Sequence, residues 1–259
     1  MHSDIQITPI GAFTDNYIWI LHRDGHAAVV DPGDAQPVLQ FLRDRQLQLV
    51  AILTTHHHAD HTGGNLALLA HYPVPVYGPA SENIPGITQP LHHGEVITLP
   101  ELALDLSVIN VPGHTAGHIA YYGLNSVLCG DTLFAAGCGR LFEGTPAQMA
   151  ASLDRLAQLP DDTAVYCAHE YTLANIAFAL RVDRNNPALF RRARIEQDKR
   201  AAGLPTLPTS IGLEKATNPF LRCHTPALRA AAEAWAGKPL PDAIAVFAAL
   251  REMKNVFRA

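Results

Sequence analysis

The sequence predicts an α+β fold, with strands and short helices to about residue 172 and a helical remainder after it. Three observations carry this. Apolar runs of strand length recur through the first part, at 27–30, 49–53, 106–111, 126–130 and 164–168. Beyond residue 172 that signal fades and helix-start pairs take over, Asn186-Pro187 and Thr225-Pro226. A chain of 259 residues also exceeds one average domain and is long enough to bury a substantial core.

Taken in order, Ala27-Ala28-Val29-Val30 leads into an Asp31-Pro32-Gly33 turn, and residues 34–46 read as a helix with Pro37 in its first turn. Residues 49–53 read as a short buried strand. Thr145-Pro146 is an N-cap and first helical residue ahead of a helix over 147–159. A basic helix opens at Asn186-Pro187 and ends at Gly203, another runs from Thr225-Pro226 to Gly237, and a last one covers 242–254. Residues 204–219, rich in Pro, Thr and Gly, read as a loop.

The strand at 49–53 stops at Thr55-His56-His57-His58-Ala59-Asp60-His61. Four imidazoles and a carboxylate within six residues form a dense array of ligands for borderline-soft metals. In a turning loop His56 and His58 reach one metal, while Asp60 and His61 aim at a point further on, so the spacing suits two metals. A His-rich tract is also what an adventitious metal binder looks like. Four further apolar runs that end in potential ligands favour a built site: they lead into Asp31, His114, Asp131 and His169. Side by side, these strands deliver His114, Asp131 and His169 to the sheet edge that carries the His56 cluster.

Composition is that of an ordinary globular protein, 48% apolar and 17% charged. A net charge of −5 offers no general attraction for nucleic acid. The chain has no run of about 18 apolar residues, the length that marks a membrane span. Met1-His2-Ser3-Asp4-Ile5-Gln6 lacks the charged and apolar regions of a secretory signal, so a cytoplasmic location is expected. Cys129, Cys138, Cys167 and Cys223 form no C-x-x-C pair and read as free thiols of a reducing compartment. Cys129 and Cys167 fall in strands; Cys138 lies near the site, as a packing or a functional residue.

The His56–His61 motif, with His114, Asp131 and His169 downstream in that order, resembles the metallo-β-lactamase superfamily. Within it the chain resembles the glyoxalase II (hydroxyacylglutathione hydrolase) family. The supporting segments are Thr14-Asp15-Asn16-Tyr17, residues 130–140 from Gly130-Asp131-Thr132 to Gly139-Arg140, Ala168-His169-Glu170-Tyr171-Thr172, Asn218-Pro219-Phe220-Leu221-Arg222 and Arg251-Glu252-Met253-Lys254. They cover essentially the whole chain. The resemblance implies an αββα sandwich as a catalytic domain over 1–172, with a dinuclear metal site, and a helical glutathione-binding domain over 173–259.

It also implies roles. His56, His58 and His114 would hold one metal, Asp60, His61 and His169 the other, and Asp131 would bridge both. Asp60 and Asp131, with a hydroxide shared by the metals, would be the catalytic groups. The expected cofactors are two divalent ions, zinc first, with iron and manganese suited to the same donors. The implied reaction is hydrolysis of S-D-lactoylglutathione to glutathione and D-lactate, the second step of methylglyoxal detoxification, by a monomer that binds neither nucleic acid nor membrane. A thioester suits such a site, because a thiol of pKa about 8.5 leaves with little protonation. No Ser–His–Asp or Cys–His arrangement competes.

Arg140, Tyr171, Arg251 and Lys254 are the substrate-binding residues by this resemblance, Arg251 and Lys254 taking the glycine carboxylate from one helix face. Basic residues in a last helical turn also serve the helix dipole, and Tyr171 could equally be a core aromatic. Where eukaryotic members read Gly-Lys-Phe-Tyr, this chain has Gly139-Arg140-Leu141-Phe142, which changes the cation's geometry and removes a hydroxyl. His57 is expected to face away or pack, and His118 to orient or pack rather than ligate. His2, His22, His26, His71, His92, His93 and His224 receive no role. Asp31 either orients a ligand loop or simply makes a turn.

Other members of the superfamily are the competing readings. A glutathione persulfide dioxygenase uses a single iron, which Asp60, His61 and His169 argue against. A lactonase or an RNase Z-like nuclease would share the metal site, and the acidic balance disfavours the nuclease. A non-catalytic metal-binding protein would close its coordination, whereas this ligand set leaves positions open.

Overall fold

The computed structural model describes residues 4–258; His2 and the remainder of the Met1–Ser3 segment lie outside the described residues. The chain packs as two compact units, one running through Asn110 with Thr115–Gly130, the other comprising Val111–His114 and the chain from Asp131 onward.

The first unit contains β1 (Gln6–Ala12), β2 (Asn16–Arg23), β3 (His26–Val30), α1 (Ala35–Asp44), β4 (Gln48–Leu53), α2 (Ala59–Thr62), α3 (Asn65–His71), β5 (Val76–Pro79), β6 (Gln89–Leu91), β7 (Val96–Leu99), β8 (Leu104–Asn110), β9 (Ile119–Gly123) and β10 (Ser126–Gly130). β1 to β6 form a six-stranded sheet in chain order. Its first three strands are antiparallel, and β3 to β6 run parallel. β7, β8, β9 and β10 form an antiparallel meander.

α1 shows how the pattern becomes packing. Asp34 caps it by accepting from Gln36 N at 2.9 Å. Val38, Leu39 and Leu42 face inward onto Ile20, Val29, Leu49 and Ile52. Burying each such side chain contributes roughly 1.5–3 kcal/mol. Because β4 is parallel to its neighbours and buried, its end opens into a loop, where α/β sheets carry their functional groups.

The second unit contains β11 (Leu133–Phe134), β12 (Gly137–Cys138), α4 (Pro146–Ala157), β13 (Ala164–Cys167), α5 (Thr172–Val182), α6 (Pro187–Ala201), β14 (Thr209–Ser210), α7 (Ile211–Thr217), α8 (Pro226–Ala236) and α9 (Ala243–Val256). α4 begins in a full capping box between Thr145 and Gln148, with Pro146 in its first turn. Asn186 caps α6 by accepting from Ala188 N and Leu189 N.

Five expected helices are present within one or two residues of their expected ends. The loop expected over 204–219 is corrected: it holds β14 and α7. Ser210 caps α7 through Leu213 N at 3.3 Å, and the helix is fixed by the wholly buried Glu214 rather than by propensity. That carboxylate accepts from Arg192 Nη2 and Thr209 Oγ1, both at 2.6 Å. It also accepts from Asn218 Nδ2 at 2.9 Å and Ala136 N at 2.8 Å. α5, unexpected from the sequence, starts directly after the His169 loop.

Candidate metal centre

The loop that follows β4 is pinned from Asp31, at the end of β3. Asp31 adopts a left-handed φ of 52°, tolerated by Asp, and turns its carboxylate toward Thr55. Oδ1 accepts from Thr55 N and Oδ2 from the Thr55 hydroxyl, both at 2.7 Å. The hydroxyl's single proton is thereby used, so its lone pair takes the proton of His56 Nδ1 at 3.1 Å. His56 Nε2 is left as the electron-pair donor. Asp31 Oδ2 also stands 3.2 Å from His61 Nδ1, which turns His61 Nε2 toward Asp60 Oδ2 at 3.5 Å. Of the two readings of Asp31, orientation of the ligand loop is the one observed.

Asp60 is steadied by Asn16, whose Nδ2 donates to Asp60 Oδ2 at 3.0 Å. His56 Nε2 and His58 Nδ1 face each other at 3.1 Å. Two imidazole nitrogens so placed require a proton or a cation between them, the electronic setting of a metal site. His118, wholly buried, stacks on the His56 ring with centroids 4.5 Å apart, so it packs behind that ring. His57 turns away to Glu82 at 2.9 Å.

Residues 111–114 and 131–171 supply the remaining donors. His114 Nδ1 donates to the Arg140 carbonyl at 2.8 Å, which presents Nε2 to Asp131 Oδ2 at 3.3 Å. Asp131 Oδ1 stands 3.4 Å from His169 Nε2. Each carboxylate oxygen thus faces a different histidine, the disposition a bridging carboxylate needs. Gly130, directly before Asp131, has φ +48°, and a Cβ there would run into the Thr55 hydroxyl and the His118 ring.

Together the donors fall into sets. In the first unit His56 Nε2 meets His58 Nδ1 and His61 Nε2 meets Asp60 Oδ2, and in the second Asp131 meets His114 and His169. Imidazole and carboxylate donors in this number fit divalent ions such as zinc, iron or manganese, so the residues present fit a dinuclear divalent centre. Within the first unit His57 also meets Glu82, at 2.9 Å. There Glu82 is a hydrogen-bond acceptor, which accounts for its position without an ion.

Tyr171 is 37% exposed and stacks flat on the His169 ring, centroids 4.7 Å apart and planes 5° apart. Phe134 meets both rings edge-on. Phe142 is exposed and packs edge-on to His114. The Arg140 guanidinium is exposed, and only its carbonyl takes part in the geometry above. Arg251 is buried, donates to the Cys138 carbonyl at 2.7 Å and lies over the Phe220 ring. Lys254 donates to the Ala174 carbonyl at 3.2 Å, and burial followed by the nearby Arg251 lowers its ammonium to about 8.

All four cysteines are buried and free. Burial pushes the Cys167 and Cys223 thiols up to about 12 and raises Cys138 as well. These three thiols stay protonated at neutral pH and offer no nucleophile. Asn16, Thr55 and Glu82 carry no local signal in the sequence, since each acts on a partner 24 or more residues away.

Comparison with known proteins agrees with this geometry. Residues 11–169 match the model of the metallo-beta-lactamase superfamily, and residues 170–257 match that of the hydroxyacylglutathione hydrolase C-terminus. The hydroxyacylglutathione hydrolase of Nitrosomonas europaea is 56% identical over 254 residues, covering 98% of this chain and 97% of that protein. Among solved structures, BLEG-1 B3 metallo-beta-lactamase aligns with a TM-score of 0.62 at 25% identity, covering 84% of this chain and 99% of that one. TTHA1623 in a di-iron-bound form aligns with a TM-score of 0.60 at 26% identity, covering 83% and 100%. The expected α+β sandwich with a C-terminal helical domain is thereby borne out.

Proposed function

The chain belongs to the hydroxyacylglutathione hydrolase family of the metallo-β-lactamase superfamily, and from that premise we propose how its own residues hydrolyse S-D-lactoylglutathione to glutathione and D-lactate. His56, His58 and His114 would hold one divalent ion and Asp60, His61 and His169 the second, with Asp131 serving both. The observation that carries this reading is Asp131, with one carboxylate oxygen directed at His114 and the other at His169. When bound, two such ions activate water at neutral pH and polarise the thioester carbonyl.

The protein's part is orientation. Asp31 and Thr55 fix the His56 tautomer, the Arg140 carbonyl fixes that of His114, and Asn16 holds Asp60 by one oxygen. Asp60 and Asp131 would be the catalytic carboxylates and would offset part of the charge of two bound cations. The leaving group needs no acid from the protein, since a glutathione thiol of pKa about 8.5 departs as thiolate.

Tyr171 offers its hydroxyl to the glutathione backbone from the face of His169, and Arg140 presents an exposed cation. Lys254 takes the glycine carboxylate. Arg251, buried against Cys138, shares that role by holding β12 and by its charge beside Lys254. The domain boundary falls near residue 172, which the matched segments 11–169 and 170–257 support. Every expected ligand comes from one chain, so a monomer suffices. Zinc is the metal proposed, and four buried free thiols favour a reducing cytoplasm.

The test offers purified protein S-D-lactoylglutathione, a lactone and glutathione persulfide side by side. Thioester hydrolysis is expected to dominate, with kcat/KM in the usual enzymatic range of about 10⁴–10⁸ M⁻¹ s⁻¹. Preferred turnover of the lactone, or oxygen uptake with the persulfide, would overturn the substrate assignment.

A further inference from the structure

Glu82 lies in the loop between β5 and β6, 25 residues from the His57 it touches. Its side chain is 3% exposed, yet it carries a carboxylate, and a buried carboxylate persists only where donors surround it. Four do. Oε2 accepts from His57 N at 2.7 Å and His57 Nδ1 at 2.9 Å. Oε1 accepts from the Thr115 hydroxyl at 2.5 Å and Gly117 N at 2.9 Å. His57 sits between His56 and His58, Thr115 follows His114, and Gly117 precedes His118. One carboxylate thus ties the loop after β4 to the loop after β8, at backbone positions adjacent to four histidines.

The chain makes room for it. A Cβ on Gly117 would lie 2.6 Å from Glu82 Cγ and would collide with Ser81 Oγ. Only glycine at 117 lets the carboxylate approach the second loop that closely.

We infer that Glu82 is a positioning residue of the metal centre, holding the two ligand loops in register through His57 on one side and Thr115 and Gly117 on the other. The inference rests on the ligand assignment proposed above. Its chemical logic is that Glu82 accepts on both sides. A glutamine of the same size has one acceptor oxygen and an amide that donates, so it serves one loop and sets N–H against N–H at the other. Partners that orient metal ligands in this way are commonly worth 10–100-fold in metal affinity or activity.

The experiment compares the zinc-loaded wild type with Glu82→Gln and Thr115→Val. Metal release to a chelator, the visible spectrum of the cobalt-substituted forms, and kcat and KM separately would be measured on each. Thermal midpoints of the metal-free proteins serve as the control for a merely structural role. Glu82→Gln is expected to release metal at least tenfold faster, shift the cobalt spectrum and lower kcat with KM within twofold of wild type. Thr115→Val should do the same more weakly, and the double variant should lose no more than Glu82→Gln alone.

Release and spectrum unchanged in Glu82→Gln would overturn the inference while the two-metal wild type still upholds the site. Loss of a third equivalent of metal alone, with spectrum and kcat unchanged, would overturn it by making Glu82 a ligand. A lower thermal midpoint with unaltered release would overturn it as ordinary packing. A wild type that binds no metal would bring down the ligand assignment itself, and the inference with it.

Discussion

A single proton on the Thr55 hydroxyl decides which nitrogen of His56 is available to a metal. With the hydroxyl given to Asp31, His56 Nδ1 is held protonated and Nε2 turns its electron pair toward His58 Nδ1. Thr55→Val keeps the volume and removes this relay. It is expected to weaken metal binding by about 10-fold or more, measured by competition with a chelator; affinity equal to wild type would remove the relay from the account. Lys254 makes the second residue-scale prediction. Its ammonium titrates at about 8 in the folded protein and near 10.5 when unfolded. Between those pH values the unfolded chain binds more protons, so stability rises with pH through that window. The charge proposed to take the glycine carboxylate is lost as the pH rises through about 8. kcat/KM for S-D-lactoylglutathione should therefore fall above about pH 8, and Lys254→Gln should be low throughout and lack that limb. A wild-type profile flat to pH 9.5, on the order of the unshifted range, would contradict the assignment. Legibility divides cleanly here. His56 to His61 declare themselves because they are contiguous, whereas Asn16, Thr55 and Glu82 act across 44, 24 and 33 residues of separation that no local pattern encodes.

At the scale of elements, the β11–β12 hairpin sets Phe134 against His169 and carries the carbonyl that receives Arg251. It is held from behind by a buried network. Asn218 Nδ2 donates to the Phe134 and Gly137 carbonyls, and Glu214 accepts from Ala136 N while pairing with Arg192. Arg192 and Glu214 side chains are 1% and 0% exposed. Removing one partner leaves an uncompensated buried charge, so Arg192→Met should cost roughly 3–5 kcal/mol in denaturant unfolding. Arg192→Met with Glu214→Leu should recover much of it, and a single-variant loss under about 1 kcal/mol would show the pair to be dispensable. α7 escaped sequence reading for the same reason: Pro208 and Gly212 are breakers locally, and what makes 211–217 helical is Glu214 reaching Arg192 on α6. Helices α1, α4, α6 and α9 are legible because Asp34, Thr145, Asn186 and Asp242 cap their starts, and α8 because Thr225-Pro226 marks its start in sequence though the Thr225 side chain makes no capping bond.

For the whole molecule, the order of ligands along the chain carried the fold further than any single element did. Runs ending at Asp31, His114, Asp131 and His169 are strands that stop at functional groups, as observed for β3, β8, β10 and β13. β1 and β2, in contrast, are joined through Thr14-Asp15, and the value of Asn16, the first residue of β2, appears only where it meets Asp60. Among the described residues no helix is long and apolar enough to cross a membrane. The central claim is that turnover belongs to two ions bridged by Asp131. The measurement that tests it most directly is S-D-lactoylglutathione hydrolysis by metal-free protein as zinc is returned stepwise, with bound metal counted on the same samples. Activity should appear in full only as the second equivalent binds, and Asp131→Ala should hold fewer ions and lose nearly all turnover. Full activity at one equivalent, or an active Asp131→Ala, would contradict the dinuclear account.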